Sequence, residues 1–191
     1  MNNYPNPAYG AVPAPKKRRR FPGFIIPIAV IALSAVATLV FNLCFCVAVV
    51  GGTSMDHTLK SGDIVLVTRL DRKPADGDIV MVSHGEAYNE PIIKRVIATE
   101  GQTLELDYDN DQVKVDGVVL SEPYLYNETA LGSYTADYEI PSTIPEGKVF
   151  VMGDNRMYSL DSRNSKIGLI DAENITGKVI FHFTPPWSKD K

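Results

Sequence analysis

IIPIAVIALSAVATLVFNLCFCVAVV, residues 25–50, carries no charged side chain, and the charge-free stretch around it runs from Phe21 to Met55. At about 1.5 Å per residue, a helix of this length crosses a hydrocarbon core of roughly 30 Å. Pro27 lies near its start, where a helix tolerates proline best. A secretory signal peptide also places cations before an apolar run, but its apolar region is only about 7–15 residues long. A core helix of a soluble protein would show a charged face, and this run shows none. The reading divides the chain into a basic, disordered tail over 1–23, a single membrane anchor over 24–50 and one further domain over 51–191.

Charge sets the orientation. Five of the 19 basic residues form the run Lys16–Arg20, immediately before the apolar stretch, and no acidic residue precedes Asp56. That asymmetry places the N-terminus in the cytoplasm and the domain outside the cell membrane, as a single-pass protein. The run itself reads as a topology signal in contact with lipid headgroups. The remaining 14 basic residues face 23 acidic ones, a balance of −9 that speaks against a nucleic-acid surface. Both cysteines, Cys44 and Cys46, sit in the apolar run as filler, so a disulfide scaffold is excluded.

The domain reads as mainly β, from short β-branched runs punctuated by Gly, Pro and Asp. Gly62-Asp-Ile-Val-Leu-Val and Gly77-Asp-Ile-Val-Met-Val are near copies, each a turn followed by a strand. Asp116-Gly117, between two alternating runs, predicts a two-residue hairpin turn. Lys148–Met152 and Lys178–Phe183 read as further strands, and no long amphipathic helix is expected outside the anchor.

Metal and nucleotide chemistry find no motif: no His-Glu-x-x-His, no paired Cys in the domain, no phosphate-binding glycine loop. His57, His84 and His182 are scattered. The one Ser-x-x-Lys, Ser188 to Lys191, lacks the Lys-Thr-Gly partner of penicillin-binding enzymes. Three segments are unusual together. Gly51-Gly-Thr-Ser-Met-Asp-His-Thr-Leu59 places a hydroxyl beside two glycines, a few residues past the anchor, so Ser54 cannot travel far from the bilayer surface. In Pro91-Ile-Ile-Lys-Arg-Val-Ile-Ala98, Lys94 shares a strand face with Ile92 and Val96, and burial there would lower its pKa toward a usable base. A lone lysine in a strand is more often a surface residue whose ammonium reaches water. Gly153-Asp-Asn-Arg-Met-Tyr-Ser-Leu-Asp-Ser-Arg163 is rich in turn formers and in opposite charges able to pair.

In this order the three segments resemble the conserved boxes of bacterial type I signal peptidases, and the resemblance runs from the anchor to about residue 183. It implies a largely β, distorted-barrel domain and a Ser–Lys dyad endopeptidase that removes signal peptides from exported preproteins after Ala-x-Ala. Ser54 would be the nucleophile and Lys94 the neutral base. Ser159 would orient the lysine. The oxyanion would be held by the Ser54 N–H and a donor at position 52, where some members carry Ser and this chain has Gly52. Met55 would help line the pocket for the small residue before the scissile bond. Arg95 with Asp154, and Asp161 with Arg163, would be framework. No cofactor or metal is implied; the partners are preproteins and membrane lipid, with no nucleic acid.

Two departures stand out. His57 occupies the position where the family usually has Pro, which predicts a looser segment after Ser54. A Ser54–His57 pair is poorly placed for general-base work, only three residues apart. The connection from Asp-Ser-Arg163 to Gly168 is slightly long. Lys94 separates the chain from eukaryotic-type relatives, which have His there. Asn127-Glu-Thr and Asn174-Ile-Thr match a glycosylation pattern that would be coincidental in a bacterial protein. Two other functions compete: a non-catalytic, signal-peptidase-like assembly factor of pilus type, suggested by His57, and a repressor-type autoprotease, which would need an N-terminal DNA-binding domain in place of the anchor.

Overall fold

The structure is a computed structural model that describes residues 23–126, 129–132 and 135–188. The basic run Lys16–Arg20, the tail before it, the Asn127 acceptor and Lys191 lie outside the described residues. By its contacts the chain divides between Leu39 and Val40.

The apolar run folds as one helix, α1 (Ile25–Cys44), whose side chains are all exposed or half-exposed. It is long and apolar enough to cross a membrane. The helix stops earlier than the run does. Phe45–Val49 forms strand β1, paired in register with β2 (Ile64–Thr68) from Phe45↔Thr68 to Val49↔Ile64. The expectation of an apolar helix to about Val50 is corrected here. Phe-Cys-Val-Ala-Val is as good a strand as a helix by composition, and an antiparallel partner supplies the hydrogen bonds.

The described residues from 45 onward are mainly β, and their helical elements are three-residue 3-10 turns. After β2 come β3 (Ile79–Val82), β4 (Ile92–Thr99), β5 (Leu104–Asp107), β6 (Gln112–Val115), β7 (Val118–Val119), β8 (Lys148–Met152), β9 (Ile170–Asp171) and β10 (Ile175–Phe183). Seven of them form one antiparallel sheet in the order β1-β2-β10-β3-β4-β8-β9, while β5-β6-β7 form a second. The large sheet is open, ending on β1 and β9, and its register shifts twice in β10 and once in β4. Bulges of this kind bend and twist strands, which distorts the sheet.

The two near copies become β2 and β3, each entered through a glycine with positive φ, Gly62 at +90° and Gly77 at +84°. They do not pair with each other. The last strand, β10, lies between them and is antiparallel to both. Asp116 and Gly117 have φ of 51° and 75°, the two left-handed residues that a tight hairpin between β6 and β7 demands. β4 sits inside the sheet, and its side chains enter three core clusters: Ile97 with Phe150 and Met152, Val96 with Val151 and Ile170, and Ile93 with Met55 and Val65. That central position buries whatever β4 carries.

Candidate active site

The segment after β1 is a turn pinned at two points. Met55 and Leu59 are buried against Val65 and Val67, and Leu59 N donates to Met55 O at 2.8 Å. Two apolar residues four apart on one turned segment leave the residue before them facing outward, and that residue is Ser54. Gly52, at φ +79°, allows the chain to leave β1 and enter this turn. From the other side, Asn155 fastens the turn: its N–H donates to Ser54 O at 3.0 Å and its Nδ2 to Thr53 O at 3.0 Å.

Lys94 comes from the middle of β4, opposite Val80 of β3. It is 3% exposed. Its Nζ lies 2.6 Å from Ser54 Oγ, in hydrogen-bonding geometry, across forty residues of sequence. Burial pushes its pKa down to about 8; the carboxylates of Asp161 and Asp154 pull the other way without prevailing, and Arg163 adds to the fall. A buried amine near neutrality that touches a hydroxyl can accept that hydroxyl's proton.

The loop from Gly153 to Arg163 supplies the frame. Arg163 is completely buried and grips Asp161 with two hydrogen bonds of 2.8 Å, while reaching Leu131 O at 2.5 Å and Arg156 O at 3.0 Å. Burial alone would raise the Asp161 pKa, but Arg163 and the Gly153 N–H outweigh it and hold the carboxylate below its ordinary range. Asp154 takes both Arg95 Nε at 2.8 Å and Nη2 at 2.6 Å, and accepts from Thr58 Oγ1 at 2.5 Å. Gly153 is present for close approach: a Cβ there would sit 2.4 Å from Ser54 O and 2.2 Å from Ser159 Oγ.

The structure thus brings together Ser54, Lys94, Met55, Arg95, Asp154, Asp161 and Arg163. Ser159 is beside them but differently engaged. Its Oγ is buried and makes no hydrogen bond of good geometry, so none joins it to Lys94, although it lies close enough to Asp161 to help keep that group ionised. Gly52 borders the same cavity as Ser54, of about 650 Å³, whose apolar lining includes Val49, Met55, Met81, Ile92 and Leu160. Among the described residues, no three His, Cys, Asp or Glu gather as metal ligands would.

His57 is exposed and has φ +84°, a left-handed backbone that a proline ring cannot adopt. The turn here therefore differs in shape from one with Pro, and Asn155, Met55 and Leu59 make the contacts that hold it. Sequence reasoning missed the segment that covers the frame. Glu122, a half-buried residue with a covered side chain, pairs with Arg156, and the Tyr124 ring stacks under the Arg95 guanidinium, 3.9 Å from its centroid. Asn155 and Thr58 stood in the three motifs without a role.

Residues 23–184 match the family described as signal peptidase, peptidase S26. The chain is similar to a Signal peptidase I of Bacillus licheniformis, 38% identical over 165 residues that span 82% of this chain and 86% of that one. It is 40% identical over 148 residues to a Signal peptidase IB of Staphylococcus aureus, covering 70% and 75%. A solved signal peptidase I structure from Enterococcus faecalis V583 is 33% identical and covers 56% of this chain and 97% of that one, with a TM-score of 0.46.

Proposed function

The chain belongs to the signal peptidase family, peptidase S26, and from that premise we propose how its own residues carry out the cleavage. It is a serine endopeptidase of the signal peptidase I type, and its substrates are preproteins bearing signal peptides. In the proposed mechanism Ser54 Oγ attacks the scissile carbonyl while the neutral Lys94 amine takes its proton, then delivers that proton to the departing amine. Lys94 next deprotonates the water that releases the signal peptide from Ser54. The observation that carries this reading is the 2.6 Å approach of a buried amine to Ser54 Oγ. With a pKa near 8, about a tenth of the lysines are neutral at pH 7, against roughly one in a few thousand for a free lysine. The Ser54 N–H, with a donor near Gly52, would hold the oxyanion, and Ser159 would steer Lys94 once substrate excludes water. Met55 and the apolar cavity would select small side chains, as in Ala-x-Ala.

In the same reading α1 anchors the chain in the cell membrane, with the residues before it cytoplasmic and the β domain outside. Ser54, ten residues past the end of α1, would then work near the emerging bond. The test is cleavage of a preprotein with an Ala-x-Ala signal by the purified full chain in detergent. Wild type should cut after the final Ala, and Ser54→Ala and Lys94→Ala should not. Cleavage by Lys94→Ala at a comparable rate would overturn the dyad. Inactivity of wild type on several preproteins, with lipid present, would favour the assembly-factor reading.

A further inference from the structure

We propose that the turn Arg69–Lys73 is a binding site for anionic phospholipid headgroups, set at the level of the outer end of α1. The inference rests on the reading of α1 as a membrane span. Residues 40–44, the last turn of that helix, are fastened to the turn after β2: Arg69 N donates to Cys44 O at 2.8 Å, and Arg69 Nη1 to Asn42 O at 3.1 Å. A guanidinium on the last carbonyls of a helix completes its C-terminus. If α1 spans the membrane, these carbonyls mark the depth at which hydrocarbon gives way to headgroups, and Arg69 fixes the adjoining turn at that depth.

The next four residues suit that depth. Leu70 is 70% exposed, an apolar side chain beside a helix end. Arg72 and Lys73 are exposed. The one acid in the turn, Asp71, is already taken: its carboxylate accepts Lys178 Nζ at 2.9 Å and the Lys73 N–H at 3.2 Å. Capping the helix accounts for Arg69 and leaves Arg72 and Lys73 unexplained. Leu70 would enter the acyl boundary while the two cations meet phosphate oxygens, an arrangement that gains affinity for anionic lipid with each added cation. The nearby cavity of about 450 Å³ also borders Arg72 and Lys73, but it carries Glu100 and Glu173 as well, so the surface turn is the site.

The experiment uses the full chain in nanodiscs of phosphatidylcholine with a minor share of phosphatidylglycerol, and a photo-crosslinking phenylalanine analogue at position 70. The expected result is crosslinked lipid enriched in phosphatidylglycerol up to roughly thirtyfold over its bulk share, the order that two surface cations supply. The Arg72→Glu/Lys73→Glu double variant should lose that enrichment while cleaving preprotein in detergent at the wild-type rate. Soluble glycerol phosphate should not compete, since the depth of Leu70 selects lipid. Crosslinked lipid at the bulk ratio, or none, would overturn the site. The readout is independent of cleavage, and extraction of the chain by alkaline carbonate would separately expose a failure of the anchor reading.

Discussion

Two lysines on two strands show how far position outweighs residue type. Lys94 of β4 and Lys114 of β6 both sit on strands beside β-branched neighbours. Lys94 lies inside the seven-stranded sheet, and its pKa falls to about 8 because burial outweighs its distant carboxylates. Lys114 lies in the small sheet with its ammonium 2.7 Å from Glu105 and 2.8 Å from Asp107, both on β5. Hydrogen bonds to Asp107 and Glu105 push its pKa up to about 12. The first environment brings the neutral amine within reach at neutral pH, and the second favours the cation. In the proposed mechanism the first lysine accepts a proton, while the second stays a cation. A strand that alternates apolar and basic residues holds a weakened or a strengthened cation according to whether its neighbours bury the amine or pair it with carboxylates.

The contrast breaks most sharply in activity. Lys94→Met should lower preprotein cleavage by about a thousandfold or more, while Lys114→Met leaves the rate unchanged; initial rates of the two variants decide it. In wild type the rate should climb to half its maximum near pH 8, and Lys114→Met should keep that profile. Stability should move the opposite way. The folded pKa of Lys94 lies below that of free lysine, so charging it penalises the folded state below pH 8, and the penalty fades as pH rises to about 10.5. Lys94→Met should therefore gain on the order of 3 kcal/mol at pH 6 and nothing near pH 11, read from thermal unfolding in detergent at the two values. A variant equally stabilised at both would show that burial of the charge is not the cause.

A glycine pair sharpens the comparison. Gly153→Ala drives a Cβ into Ser54 O and Ser159, and should cost about a hundredfold in cleavage through misplacement. Gly117→Ala strains the hairpin at φ +75°, lowering thermal stability modestly and leaving kcat alone. The smallest effect is expected for Lys114→Met, whose solvent-accessible ion pairs should change the melting temperature barely at all.

The strands were legible where the signal is local. Asp116-Gly117 read as a hairpin because a tight turn needs two left-handed residues, and Gly62 and Gly77 read as turns for a related reason. The end of α1 was misjudged because Phe45–Val49 satisfies helix and strand alike; its pairing with β2 decides, and pairing is not a property of the segment. Ser54 and Lys94 could be nominated from their motifs. Their 2.6 Å contact could not, since it depends on the turn that Met55 and Leu59 bury. Glu122 and Tyr124 carried no signal, because their partners Arg156 and Arg95 are distant in sequence and nothing around them is periodic.

The placement of β10 has a consequence for the order in which the chain comes to life. Without β10, the hydrogen-bonded sheet falls into two pieces, β1-β2 leading into the Ser54 turn and β3-β4-β8-β9 carrying Lys94. The strand that joins them is the last of the described strands in chain order, and so the last of them to be synthesised. A chain lacking it joins the Ser54 turn to the Lys94 strands only through loop and side-chain contacts such as those of Asn155. The seven-stranded sheet is complete only once residues 175–183 have joined it.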